Sequence, residues 1–130
     1  MSKCVLIADD SADVRTRIRF DLERSGLKVC GEAVDGLDAI EKASALRPDL
    51  IILDLSMPRV NGIAAAEKLR AICPKVPIIL YTLHAGIIRS GPTLPVGVTE
   101  VVSKSENLLD RVLKLLQTHN TSGQVRRTTA

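Results

Sequence analysis

Short apolar runs of strand length alternate along the chain with segments of helical period. Cys4-Val5-Leu6-Ile7-Ala8 is a continuous apolar run, as expected of a strand buried on both faces. It ends in Asp9-Asp10-Ser11, after which Val14, Ile18 and Leu22 recur every fourth residue and mark one helical face closed by Gly26. Val29 to Val34 reads as a second, less regular strand. Asp35-Gly36 then turns into a helix carrying Ala39, Ile40, Ala43 and Leu46 inward, stopped by Pro48. Leu50-Ile51-Ile52-Leu53 is a third buried strand that ends at Asp54. Asn61-Gly62 opens another helix, with Ile63, Ala66, Leu69 and Ile72 as its expected buried face. Val76 to Tyr81 and Val98 to Ser103 complete five strands. Ser105 is the expected cap of a last helix with Leu108, Leu109, Val112, Leu115 and Leu116 inward.

Strands alternating with helices at this spacing predict an α/β fold with a parallel sheet covered on both faces. Right-handed crossovers restrict its topology, and ligands of such sheets bind at the carboxyl ends of the strands. One segment breaks the alternation. His84 to Gly97 contains Gly86, Gly91, Pro92, Pro95 and Gly97, which cannot support an ordinary three-turn helix. A turn around Ile87 to Arg89 is the most it is expected to form. From about Thr118 onward the chain is polar, and residues 119–130 are expected to be a disordered tail or the start of a linker.

Composition narrows the function classes. At 130 residues with 45% apolar side chains, the chain suits a single domain with a sizeable core. It has one Phe, one Tyr and no Trp, so platforms for stacking single-stranded nucleic acid are missing. The net charge of +3 includes Arg126 and Arg127 of the tail, leaving the folded part near neutral and giving no DNA-coating surface. Cys4, Cys30 and Cys73 are odd in number and far apart. They are expected to be reduced core residues of a cytoplasmic protein, not a disulfide or zinc framework. Met1-Ser2-Lys3 leads into the first strand without a signal-peptide layout, and no stretch approaches transmembrane length. Membrane association is not expected.

The chemistry falls at strand ends. Asp9 and Asp10 follow the first strand, Asp54 ends the third, Thr82 follows the fourth and Lys104 the fifth. Asp9 or Asp10 alone would read as a helix-capping residue. In a parallel sheet, however, all these groups meet at one edge. Gathered carboxylates raise one another's pKa unless a cation neutralises them, and hard oxygen ligands with open positions suit Mg²⁺. A hydroxyl and an ammonium beside such a site could hold phosphoryl oxygens, and Asp54 could be a nucleophile forming an acyl phosphate.

With these residues in place the chain resembles bacterial two-component response-regulator receiver domains, the CheY-like superfamily, over about residues 3 to 118. The resemblance is carried by Asp9-Asp10, by Asp54-Leu55-Ser56-Met57-Pro58 with Gly62 following, and by Thr82 and Lys104. The domain reading is accordingly a receiver over 1–118. The resemblance implies a doubly wound (βα)5 flavodoxin-like three-layer sandwich of strand order 2-1-3-4-5, here with the fourth helix short or missing. It also implies Asp54 as phosphoacceptor, Mg²⁺ bound by Asp10, Asp54 and the Ser56 backbone carbonyl with Asp9 assisting through water, and Thr82 and Lys104 sensing the phosphoryl group. The implied partners are a sensor histidine kinase and a downstream protein target or fused output domain, with a homodimer possible and no direct contact to nucleic acid. The Lys104-Ser105 pair is similar to the NarL/FixJ (LuxR-type) branch, whose members usually carry a DNA-binding domain.

Three positions depart from the family pattern. Val101 stands where an inward-swinging aromatic is usual, Leu83 where a small residue is usual, and His84 at a position that influences dephosphorylation. Val101, Leu83 and the broken fourth helix keep open a pseudo-receiver that binds partners without cycling phosphate, and the LuxR-type resemblance keeps open the regulatory part of a longer transcription factor. An enzyme is not expected beyond slow self-dephosphorylation. A haloacid-dehalogenase-type phosphatase would need a second Asp where Ser56 stands, and the glycine-rich loops of P-loop and Rossmann proteins are missing after the first strand.

Overall fold

The apolar runs do form the strands, and their burial explains why they are apolar throughout. The computed structural model describes residues 3–129, with side chains through residue 118. The elements run β1 (Cys4–Ala8), α1 (Ala12–Arg24), β2 (Lys28–Ala33), α2 (Gly36–Leu46), β3 (Leu50–Asp54), α3 (Gly62–Ile72), β4 (Ile78–Thr82), α4 (Ala85–Arg89), β5 (Glu100–Ser103) and α5 (Leu108–Thr129). All strand pairs are parallel, in the order β2-β1-β3-β4-β5. This is the flavodoxin-like arrangement expected, with a fourth helix of only five residues. The tail expected over 119–130 lies outside the residues whose side chains are described.

Alternate side chains of each strand enter different cores, as strand geometry requires. Leu6, Ile51, Leu53, Leu80 and Val101 pack toward α2, α3 and α4. Val5, Ile7, Ile52, Ile79 and Val102 pack toward α1 and α5. β3 is central and every one of its five residues is buried, so Leu50-Ile51-Ile52-Leu53 leads the Asp54 carboxyl to the top of the sheet on a fixed rail. Burying each such Leu or Ile side chain contributes about 2–3 kcal/mol.

Local signals start and stop the helices. Ser11 caps α1, Asp35 caps α2 and Asn61 caps α3, each accepting a hydrogen bond from a backbone N–H three residues on. Gly26, at φ +86°, supplies the left-handed step that closes α1. α5 starts later than expected, because Asn107 and not Ser105 accepts the Asp110 N–H at 3.0 Å. Ser105 is engaged instead by the Ser103 hydroxyl. Leu46, Ile63 and Ile72, expected inside, are exposed at their helix ends, whereas Ala65 is fully buried. Small residues there let α2 and α3 lie close to the sheet.

One expectation is overturned. Cys4 and Cys30 form a disulfide, with Cα atoms 5.5 Å apart. Strand pairing brings them together. β1 and β2 are neighbours whose register slips by one residue, Val5 facing Val29 and Leu6 facing Gly31, which leaves Cys30 as the extra residue of a bulge beside Cys4. Cys73 is the free thiol and is partly buried, burial pushing its pKa up.

Candidate functional site

The carboxyl ends of β1, β3, β4 and β5 bring the acidic, hydroxyl and ammonium groups into one cleft, as their positions at strand ends predict. Asp9 is 2% exposed, Asp54 7% and Thr82 1%, while Asp10 faces solvent. One carboxylate oxygen from each of Asp9, Asp10 and Asp54 lies within 4.8 Å of the others. Lys104 reaches across from the end of β5. Its Nζ lies 3.2 Å from Asp9 Oδ2 and 3.2 Å from Asp54 Oδ1. Asp10, Asp54, Ser56, Thr82, Leu83, His84 and Lys104 line an open cleft of about 280 Å³.

Backbone geometry fixes these groups. Asp9 does not cap α1, since Ser11 does, but its Oδ1 accepts the Ser11 N–H at 2.8 Å and so its carboxylate is held at the cleft. Gly62 presses against the end of β3: a Cβ there would stand 2.2 Å from the Asp54 carbonyl oxygen and 2.9 Å from Leu80 Cδ1. Only glycine lets α3 start directly over Asp54. The Lys104 N–H donates to the Thr82 carbonyl at 3.0 Å, tying the two strand ends together. The Thr82 hydroxyl accepts the His84 N–H at 3.0 Å.

The electrostatics follow from crowding. Burial and then the neighbouring Asp9 charge raise the Asp54 pKa, against the opposing pull of Lys104. Burial by itself would lower the Lys104 pKa, but Asp54 and Asp9 outweigh it and the ammonium is held above its ordinary value. Three clustered carboxylates with one ammonium leave an excess of negative charge, and the open side at Asp10 leaves room for water. That donor set, hard oxygens with free positions, fits a small divalent cation such as Mg²⁺.

The residues that depart from the family pattern occupy distinct places. Leu83 lines the cleft from its rim and is 75% exposed. His84 precedes α4 and also borders the cleft. Val101 is buried in the core beside α4. The aromatic neighbour of the site comes from elsewhere: the Tyr81 ring lies under Lys104, with Nζ 5.8 Å from its centroid. Tyr81 immediately precedes Thr82, and nothing in the hydrophobic pattern distinguishes it from any strand residue. Also unforeseen is a set of arginines behind the acidic loops. Arg15 pairs with Glu32 and donates to the Asp9 carbonyl, and Arg59 pairs with Asp35. Arg89 holds α4 by donating to the Val101 carbonyl at 2.6 Å and to Glu106.

The family profile described as "Response regulator receiver domain" matches residues 5–117. The chain belongs to that family. It is 40% identical over 80 residues to the chemotaxis protein CheY of Thermotoga maritima, covering 62% of this chain and 67% of that one. It is also 40% identical over 103 residues to a protein-glutamate methylesterase/protein-glutamine glutaminase of Geobacter sulfurreducens. That match takes in 78% of this chain but 28% of the methylesterase, so the chain spans little more than a quarter of that relative. Among solved structures, the response regulator TrrA from Thermotoga maritima in complex with Mg²⁺ and BeF superposes with a TM-score of 0.76. It is 28% identical, and 88% of this chain and 98% of that one are covered. The receiver family is a phosphoacceptor switch of two-component signalling, and no helix among the described residues is long and apolar enough to cross a membrane.

Proposed function

We propose that this chain is a phosphorylation-dependent switch in which Asp54 takes a phosphoryl group from a sensor histidine kinase. The observation that carries the reading is the Asp54 carboxyl itself, placed by an all-buried strand beside the Lys104 ammonium and facing an open cleft. In the transfer the N–P bond of the donor phosphohistidine breaks and an Asp54 Oδ–P bond forms, leaving a mixed anhydride. Asp10, Asp54 and the Ser56 backbone carbonyl would hold Mg²⁺, with Asp9 acting through water. The ion would neutralise the charge of the phosphoryl oxygens. Lys104 releases Asp54 and takes a phosphoryl oxygen in its place. Thr82, whose hydroxyl oxygen accepts the His84 N–H, donates its O–H to another oxygen, which pulls on the β4–α4 connection. The change is thereby relayed to partner surfaces around α4 and β5, and the readout is a downstream protein or a fused output domain, with a homodimer as one form of that readout. ATP as the kinase's source of phosphate supports a cytoplasmic location, with the Cys4–Cys30 disulfide, a bond rare in that compartment, standing against it. The chain itself is not an enzyme beyond slow loss of its own phosphate, with Leu83 and His84 at the rim setting access for water.

The test is intact-protein mass after incubation with acetyl phosphate and Mg²⁺. Gain of one phosphoryl group, absent in Asp54→Ala, supports the switch. A second reading is a pseudo-receiver that binds partners without cycling phosphate. The ringless Val101, Leu83 at the rim of the cleft and the five-residue fourth helix favour it. It becomes the better account when neither acetyl phosphate nor phosphoramidate labels the protein. Fusion to a DNA-binding output is the remaining alternative, read from the coding frame around this chain.

A further inference from the structure

The edge strand β2 contributes nothing to the cleft, yet two carboxylates at its end hold the two loops that do. Glu32, in β2, accepts from Arg15 Nε at 2.8 Å and from Arg19 Nε at 2.7 Å. The other arm of Arg15 is spent on the site, its Nη1 donating to the Asp9 carbonyl at 2.6 Å. Arg15 is largely buried, with 13% of its side chain exposed, so Glu32 fixes a guanidinium that in turn fixes the backbone of a cleft residue.

The second anchor is built the same way on the other side. Asp35, just past β2, is 5% exposed and receives a two-pronged contact from Arg59, Nε at 2.7 Å and Nη2 at 3.1 Å. Arg59 sits in the loop that follows Asp54 and carries the Ser56 carbonyl, and its φ of +65° is a left-handed conformation that is unfavourable for a non-glycine residue. The neighbouring backbones touch as well. A Cβ at Gly36 would stand 2.0 Å from the Val60 carbonyl oxygen, so the turn after β2 and the loop after β3 are in direct contact. The loop is thus gripped at Arg59 by charge and at Val60 by packing, both from the β2 side.

We propose that Glu32 with Arg15 and Asp35 with Arg59 are positioning pairs of the cation site, setting from β2 where the Asp9 carboxylate and the Ser56 carbonyl stand. None of the four touches the cleft. They act through the backbone of residues that do, in the manner of outer partners that orient metal ligands. The inference rests on the Mg²⁺ reading of the cleft given above, and its test keeps the two apart.

Mg²⁺ is titrated calorimetrically into the full chain, with Asp54→Asn as the reference for the site itself. Saturable binding that Asp54→Asn removes supports the reading; its absence in the unsubstituted protein overturns the reading and the pairs with it. Given that binding, Arg59→Met and Asp35→Asn each weaken Mg²⁺ by about tenfold, and Arg15→Met and Glu32→Gln do likewise. Arg59→Lys, which keeps the charge, recovers part of the loss. The double substitution within one pair weakens binding no further than either single one, because the two act as a unit. Asp35→Asn preserves the α2 cap, and the Arg59 side chain is more than half exposed, so at least these variants remain folded. Amide exchange in EDTA is the readout that does not involve the metal: Arg59→Met speeds exchange at Val60 and Gly62 while leaving β3 protected. Folded variants that bind Mg²⁺ within about twofold of the parent overturn the proposal.

Discussion

Reducing the Cys4–Cys30 bond removes a cross-link that closes a loop of 26 residues around α1. Its effect lies chiefly in the unfolded chain, which regains the freedom that the cross-link withheld. For a loop of this length the chain-entropy relation gives about 3.5 kcal/mol at 25 °C. That is a large part of the about 5–15 kcal/mol by which domains are stable. The assay is urea unfolding followed by circular dichroism, with and without a phosphine reductant, alongside Cys30→Ser. A urea slope of about 1.5 kcal/mol per molar turns the loss into a midpoint about 2 M lower. Cys30→Ser should match the reduced protein and show no further response to reductant. Thiol titration under native oxidised conditions should find only Cys73, and denaturation after reduction should expose all three cysteines. Coincident midpoints with and without reductant would refute the reasoning, for the bond would then be absent from the native protein in solution.

Four further outcomes follow from the cleft and its surroundings. Gly62→Ala places a methyl 2.2 Å from the Asp54 carbonyl oxygen and should cost about 1–3 kcal/mol by urea unfolding while reducing labelling by acetyl phosphate. Gly86→Ala, with open space around its Cβ, should leave stability unchanged or improved. The pKa of Asp54 is raised in the folded state, so its native form holds a proton more tightly than the unfolded chain does. In EDTA this group's contribution is full below the ordinary carboxylate range and is lost as pH rises through the raised value; Asp54→Asn should flatten that part of the stability profile. An unchanged slope in the variant would assign the pH dependence elsewhere. Arg89→Ala removes the bond to the Val101 carbonyl and the pair with Glu106, and should speed amide exchange through α4 with little change in β4. Equal exchange in both proteins would show that packing alone holds the short helix.

The sheet was legible because burial on two faces demands continuous apolar runs, and Leu50-Ile51-Ile52-Leu53 has no other comfortable home. The site was legible for a related reason: its members are strand-end residues, and a parallel sheet places all such ends together. Pairings that depend on register were not. Cys4 and Cys30 meet only because β2 carries an extra residue after Val29, and a one-residue slip leaves no mark in composition. The same holds for Asp35 and Arg59, which lie 24 residues apart and meet because Gly36 lets two loops touch. Helical periodicity mispredicted Ile63 and Ile72 because an apolar stripe does not say where its helix leaves the core. It did anticipate the broken fourth helix, where prolines and glycines fix the backbone regardless of neighbours.

The single tyrosine gives the protein an internal gauge. With no Trp, near-ultraviolet emission comes essentially from Tyr81, whose ring lies beside the Lys104 ammonium. Its hydroxyl also reaches toward the Lys104 carbonyl at 3.5 Å. Any event that draws Lys104 away from Asp9 and Asp54 therefore alters the surroundings of one chromophore, and the signal has one address. A stopped-flow trace on the unlabelled protein reads the movement of that lysine directly, with no dye, tag or engineered reporter to perturb it.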